Sequence, residues 1–326
     1  MAQELEKNAF AVLGASTTDG VRRLAQLADD AALFGEINAE AAFSVLTNSM
    51  RRLDAETRWL PGVSAETARA IIQYRNKAEP TPYPDLSQMT ALARLNACRA
   101  LLDTWKMNDV KSALALCCSL STAWDGVHAK EVLEEINEDR QKASLPLIAD
   151  IQDVYDRLDG LLGEMVSELF VRMNESGISM HEAMNEAAVC YGQTRSRFLE
   201  ALVHAYALTV DGEISRLEEQ LKSICTRAIK RTDIVGSIKI KDELERALTD
   251  WAKLSQPMRR LAYAKGRTDA QVRELYVELY RAAAHMYNVC RMGRQCVQLF
   301  HQYDRVFFDL PDVKEHLRKN LRIAEK

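Results

Sequence analysis

An all-α protein is what this sequence predicts, and three observations lead there. Glycine (13) and proline (7) are scarce among 326 residues, so the punctuation of tight turns and strand ends is thin. Apolar residues recur at i, i+3, i+4 and i+7 through much of the chain, the spacing of a one-faced helix. Two segments, about 147–174 and 179–210, keep a helical pattern for roughly thirty residues. That length suits a bundle or a coiled-coil-like pair.

Composition narrows the function classes. Hydrophobic residues make up 47% and charged residues 28%, and 326 residues suffice for two or three domains with real cores. A net charge of -4 and a pI near 6.0 argue against a dominant nucleic-acid role, which needs a concentrated basic face. The seven cysteines, at 98, 117, 118, 190, 225, 290 and 296, form no CxxC pair. Residues 1–7 lack the basic and apolar regions of a signal peptide, and no apolar run reaches the roughly 18 residues that span a bilayer. A cytoplasmic protein with reduced thiols is the expectation, with no membrane partner.

Taken in order, Phe10, Val12 and Leu13 form a short apolar cluster closed by Gly14, and Thr17, Thr18 and Asp19 offer N-caps for the next helix. From Val21, the residues Leu24, Leu27, Ala28 and Ala31 draw one apolar stripe, and Gly35 stops it. Ala39 to Leu46 resumes the periodicity with Ala42, Phe43 and Leu46 on one side, so two antiparallel helices joined by a short loop are expected. Ser64 to Lys77 reads as a further helix, opened by Ser64, Glu66 and Thr67.

The motifs at the two ends of this stretch resemble a J domain, the helical module by which co-chaperones engage DnaK-type chaperones. Phe10-Ala11-Val12-Leu13-Gly14 is similar to the family's aromatic-x-Val-Leu-Gly opening, and Ala42-Phe43-Ser44-Val45-Leu46-Thr47-Asn48-Ser49-Met50-Arg51-Arg52 to its Ala-Tyr-x-Val-Leu-x-Asp-Pro-x-x-Arg close. The family carries His-Pro-Asp between its two long helices and a basic docking face on the helix before it. Here that region reads Asp29-Asp30-Ala31-Ala32-Leu33-Phe34-Gly35-Glu36-Ile37, without the triad. Asp29 and Asp30 would repel an acidic partner surface instead of steering onto it. The resemblance thus implies a degenerate J-like module that keeps the packing and lacks the trigger. Leu53 to Gly62 is similar to a continuation found in uncharacterised bacterial proteins with such modules, with Trp59 and Leu60 anchoring it onto the following helices.

Pro80, Pro82 and Pro84 exclude helix and mark a stiff spacer. Beyond it, helices are expected over Leu86–Trp105, Val110–Leu120 and Val127–Lys142, then in the two long segments. Asn174 to Gly177 divides those two, and Asp211-Gly212 ends the second. Pro257 reads as a helix restart after Ser255-Gln256, and Pro311 as the start of the last helix. The C-terminal part, with Trp251 to Met258 and Phe307 to Pro311, also resembles a helical segment of uncharacterised bacterial proteins. Four segments result: a degenerate J-like domain at 1–78, a proline-rich linker at 79–86, a helical bundle with two long helices at 87–235, and a C-terminal helical domain at 236–326.

Catalytic and metal motifs are thin. His181-Glu182-Ala183-Met184-Asn185 has Asn where HExxH needs its second imidazole. His285, Cys290, Cys296 and His301 have ligand-like chemistry, but on one helix Cys290 and Cys296 point to different faces, and a zinc site would need a bend near Gly293. Cys117-Cys118 reads as core. Walker A, GxGxxG and GxSxG are absent. The basic side chains Arg227, Lys230, Arg231, Lys239 and Lys241, then Arg259, Arg260, Lys265 and Arg267, read as a solvated face before they read as a docking surface.

A non-enzymatic, co-chaperone-like bacterial adaptor is the functional expectation. It would meet a DnaK-type chaperone or divergent relative through Arg22, Arg23, Arg51 and Arg52, and a client through its helical body. No cofactor or metal is expected, and nucleic acid is disfavoured. The alternative is a helical scaffold or oligomeric subunit that self-associates through the long helices.

Overall fold

The computed structural model describes residues 3–75, 86–100 and 105–324, and among them it contains sixteen helices and no strand. Residues 79–85 of the expected proline-rich linker at 79–86 and residues 101–104 of the expected 86–105 helix lie outside the described residues. Packing divides the chain into two compact units, one of residues 1–179 with 196–201, the other of residues 180–195 with 202–326.

The first unit opens with α1 (Gln3–Lys7), α2 (Ala9–Leu13), α3 (Val21–Leu33), α4 (Ala39–Thr47), α5 (Ser49–Thr57) and α6 (Ala65–Arg75). Phe10, Leu13, Leu24 and Leu46 are buried together, and α4 packs on both α2 and α3. Gly14 turns the chain after α2 at a φ of 61° that a side chain resists, and its amide closes on the Ala11 carbonyl. Phe10 stacks on Trp59 with ring centroids 5.9 Å apart. Asn96 on α7 (Ala91–Ala100) donates to the carbonyls of Thr57 and Trp59 at 3.0 and 2.7 Å. Trp59 and Leu60 therefore bind the N-terminal helices to the one that follows, as expected of them. Helices α8 (Val110–Asp125), α9 (Ala129–Lys142) and α10 (Ile151–Glu175) complete this unit. Along α10, Val154, Leu158, Leu161, Leu162, Met165 and Leu169 are buried, while Tyr155 beside Val154 stands 43% exposed.

In the second unit, α11 (Met180–Thr194) packs on α13 (Ile234–Ala264), and α14 (Ala270–Asn288), α15 (Gly293–Val306) and α16 (Pro311–Ala324) close a separate core. The helix α12 (Arg197–Ile229) begins in the first unit and continues into the second. Aromatic rings fill much of the second core: Tyr276 meets Phe307 edge to face at 5.3 Å, and Trp251 lies 5.9 Å from Phe307.

Several expected boundaries move, each for a local reason. Helix α7 begins at Ala91, not Leu86, because Thr90 caps it through the Ala93 amide. The segment 179–210 is two helices: Arg195 adopts a φ of 61°, and buried Ser196 hands its hydroxyl to Asp125 at 2.9 Å. Asp211-Gly212 does not end α12, since a helical glycine costs only about 1 kcal/mol and burial of Leu217, Leu221 and Ile224 beyond it outweighs that. Pro257 lies inside α13 instead of restarting it. It has no amide for the Lys253 carbonyl, a loss tolerated between buried Trp251 and Leu261. The cap of α3 is Gly20, not Thr17 or Asp19, which are engaged elsewhere: Thr17 donates to Asp139 and Asp19 accepts from the Ser16 amide.

Gly20 is also where α3 meets the end of α9. A Cβ there would stand 2.7 Å from the Ala143 carbonyl oxygen, a backbone atom that cannot swing aside. Gly20→Ala should lower stability by about 1–3 kcal/mol through this overlap. A shift of the urea midpoint to lower concentration at unchanged slope would show it.

Candidate partner-docking surface

Helix α3 spends its apolar stripe inward, with Leu24 fully buried and Leu27, Ala28 and Ala31 packed against the core. Leu33 lies off that stripe, and Phe34 continues its spacing one residue past the helix end. Gly35, at a φ of 87°, donates to the Ala32 carbonyl and Glu36 to that of Ala31, the crossed pair of a Schellman close. Glu36 then accepts from the Asn38 amide at 3.0 Å. A short loop pinned by these bonds presents Leu33, Phe34 and Ile37 to solvent at 84%, 93% and 92% exposure.

The stretch of chain that carries this tip is one-signed in sequence. Between Arg23 and Arg51 the chain carries Asp29, Asp30, Glu36 and Glu40 and no lysine or arginine. Three large apolar side chains on a pinned loop amid acids make a surface suited to an apolar pocket with a basic rim.

The four arginines expected to dock a partner differ in their exposure. Arg22 and Arg23 are exposed at the start of α3, and Phe34 lies about 18 Å further along the helix by its rise per residue. Arg51 is exposed on α5. Arg52 is the correction: only 1% of it is accessible, so it has no face left for a partner. Its guanidinium donates to Glu56 at 2.7 Å, to the Thr17 carbonyl at 2.6 Å and to the Leu46 carbonyl at 3.2 Å, over the Phe10 ring. A motif position that reads as surface charge is a structural tie.

Glu56 is shared. Arg140 on α9 donates to it at 2.9 Å and also reaches the Ser49 and Pro146 carbonyls. All three ionic side chains are about 1% exposed. Burial, the largest influence, pushes the Glu56 carboxyl above its usual range against the two arginines, and pushes the Arg52 guanidinium below its own.

Beside this network a cleft of about 970 Å³ is lined by residues that include Val12, Ala42, Val45, Arg51, Asn96 and Arg99. Two of its arginines are committed: Arg58 pairs with Glu164 at 2.7 Å, and Arg99 pairs with Glu168 and Glu164. Among the described residues that line it there is no histidine, cysteine, serine or threonine.

The ligand-like set near the C-terminus resolves differently. Cys290 and Cys296 are not on one helix, because α14 ends at Asn288 and the chain turns through Arg291 at a φ of 57° before α15. Even so, Cys290 receives the Ser237 hydroxyl at 3.2 Å and His285 bonds the Arg231 carbonyl, and no metal-competent cluster occurs among the described residues. Among those residues no helix is long and apolar enough to cross a membrane.

No protein family, no curated protein and no solved structure matches the chain.

The exposed tip escaped sequence reasoning, although Leu33-Phe34-Gly35 beside two aspartates signals an apolar run that outlasts its helix. Glu56 is the most sensitive of these side chains to replacement. Glu56→Ala strands two buried guanidiniums and should cost about 3–5 kcal/mol. Asp54→Ala, at a half-exposed pair with Arg157, should cost under about 1 kcal/mol. Denaturant unfolding of both variants should separate them clearly.

Proposed function

We propose that the protein is a non-enzymatic adaptor whose N-terminal helices form a degenerate J-like module. Its partner is a DnaK-type chaperone or a divergent relative. The supporting features are the order of α2, α3, α4 and α5, the packing of α4 on α2 and α3, and the two motifs that frame them. The observation that carries the docking role is the pinned tip, with Leu33, Phe34 and Ile37 bare in an acidic setting where the family places its triad. Contact through this tip requires a partner surface that is apolar with basic edges, unlike one suited to a cationic helix.

The adaptor should bind such a chaperone, purified from the same cells, without raising its steady-state ATPase. Replacing Leu33, Phe34 and Ile37 together by Ser should weaken binding at least tenfold and change stability by no more than about 0.5 kcal/mol. Several-fold ATPase stimulation that Arg22→Ala abolishes would overturn the triad-less docking mode, and absence of binding would sink the chaperone assignment.

One observation favours a second reading, a self-associating scaffold subunit. Ile229, Ile234, Val235 and Ile238 are all exposed where α12 gives way to α13. Sedimentation at micromolar concentration should then show a dimer that Val235→Asp dissolves; a strict monomer removes this reading.

A further inference from the structure

We propose that the cleft of about 400 Å³ between α13 and α15 binds a small oxyanion bearing an O–H group, of which monohydrogen phosphate is the simplest. Among the described residues its walls carry three cations, Lys253, Arg259 and Arg305, and no carboxylate. This site belongs to the second unit and is independent of the N-terminal tip.

The three cations divide the work. Arg259 is buried and holds the floor: its guanidinium grips Asp309 in bidentate fashion, donates to the Val306 carbonyl at 2.6 Å, and lies 5.0 Å from the Trp251 ring centre. Lys253 and Arg305 are exposed, and among the described residues no ion pair holds either of them. Elsewhere in the same unit Arg227, Arg231, Lys241 and Arg273 each hold an acid. Two unneutralised cations on facing helices over an arginine floor supply charge-assisted donors for an oxyanion.

The amide of Gln302 adds the second half of the recognition. Its Nε2 donates to the Glu245 carbonyl at 3.1 Å and to the Thr249 hydroxyl oxygen at 2.9 Å, so two acceptors set which way the amide faces. Its Oε1 is left buried with no partner. An oxyanion with an O–H satisfies both the cations and this acceptor; sulfate, unprotonated at neutral pH, satisfies only the cations.

Calorimetric titration of the full chain in low-salt, phosphate-free buffer tests this with inorganic phosphate and sulfate. Phosphate should bind at least threefold more tightly than sulfate. Lys253→Ala and Arg305→Ala should each weaken phosphate several-fold, and together at least tenfold, while exposed Lys239→Ala leaves it unchanged. Both side chains are exposed, so the variants should fold. His181 offers an independent readout: burial, then the charge of Lys253, holds its imidazole below the usual range. Bound phosphate should raise the midpoint of its ring-proton titration in the wild type and not in the double variant. No phosphate binding, equal affinity for sulfate, or undiminished binding in the double variant would overturn the assignment.

Discussion

One buried carboxylate, Glu56, holds the first unit together, because two arginines from different parts of the chain close on it. Arg52 lies four residues earlier on the same helix, and Arg140 arrives from α9, 84 residues later. Each guanidinium also satisfies backbone carbonyls at chain turns: Arg52 those of Thr17 and Leu46, Arg140 those of Ser49 and Pro146. Buried charge of this kind is tolerated only when its donors and acceptors are met, so the network specifies how the turns must sit. Thr17 extends it by donating to Asp139 beside Arg140, and Gly20 keeps α3 close to the end of α9.

That rigidity gives the exposed tip its meaning. A loop with Leu33, Phe34 and Ile37 in water would gain from collapsing onto the core if it were free to do so. The crossed hydrogen bonds at Gly35 and Glu36 and the packing of α4 on α3 hold it out instead. Acidic neighbours in the same stretch of chain disfavour adhesion to like-charged surfaces. The same logic separates Arg52 from Arg51: adjacent in sequence and alike in chemistry, one is a tie within the core and the other is open to solvent.

The second unit is built on aromatic packing around a buried cation. Arg259 lies within 5.4 Å of the ring centres of Trp251, Phe307 and Phe308 and is neutralised by Asp309. Pro257, two residues before it, removes an internal helix bond without ending the helix, because side chains on both flanks are buried in shared contacts. The cleft lined by Lys253 and Arg305 is a by-product of that arrangement: the floor is neutralised from behind and the rim is not.

Periodicity together with glycine and proline preferences was enough to determine the helical class, most helix positions, the cap at Gly14, the stop at Gly35, the long α10 and the start of α16 at Pro311, since these depend on residues three or four apart or on single backbone preferences. The burial of Trp59 and Leu60 was legible for the same reason: large apolar groups leave water wherever a core exists. The sequence could not show that α12 runs through Gly212 or α13 through Pro257, because there the burial of distant partners outweighs a local penalty of a few kcal/mol. Nor could it show that Arg52 faces inward, that Leu33, Phe34 and Ile37 face outward, or that Lys253 and Arg305 share a cleft. Those outcomes rest on which charges and rings meet across tens of residues, and only the tertiary structure brings those groups within reach of each other.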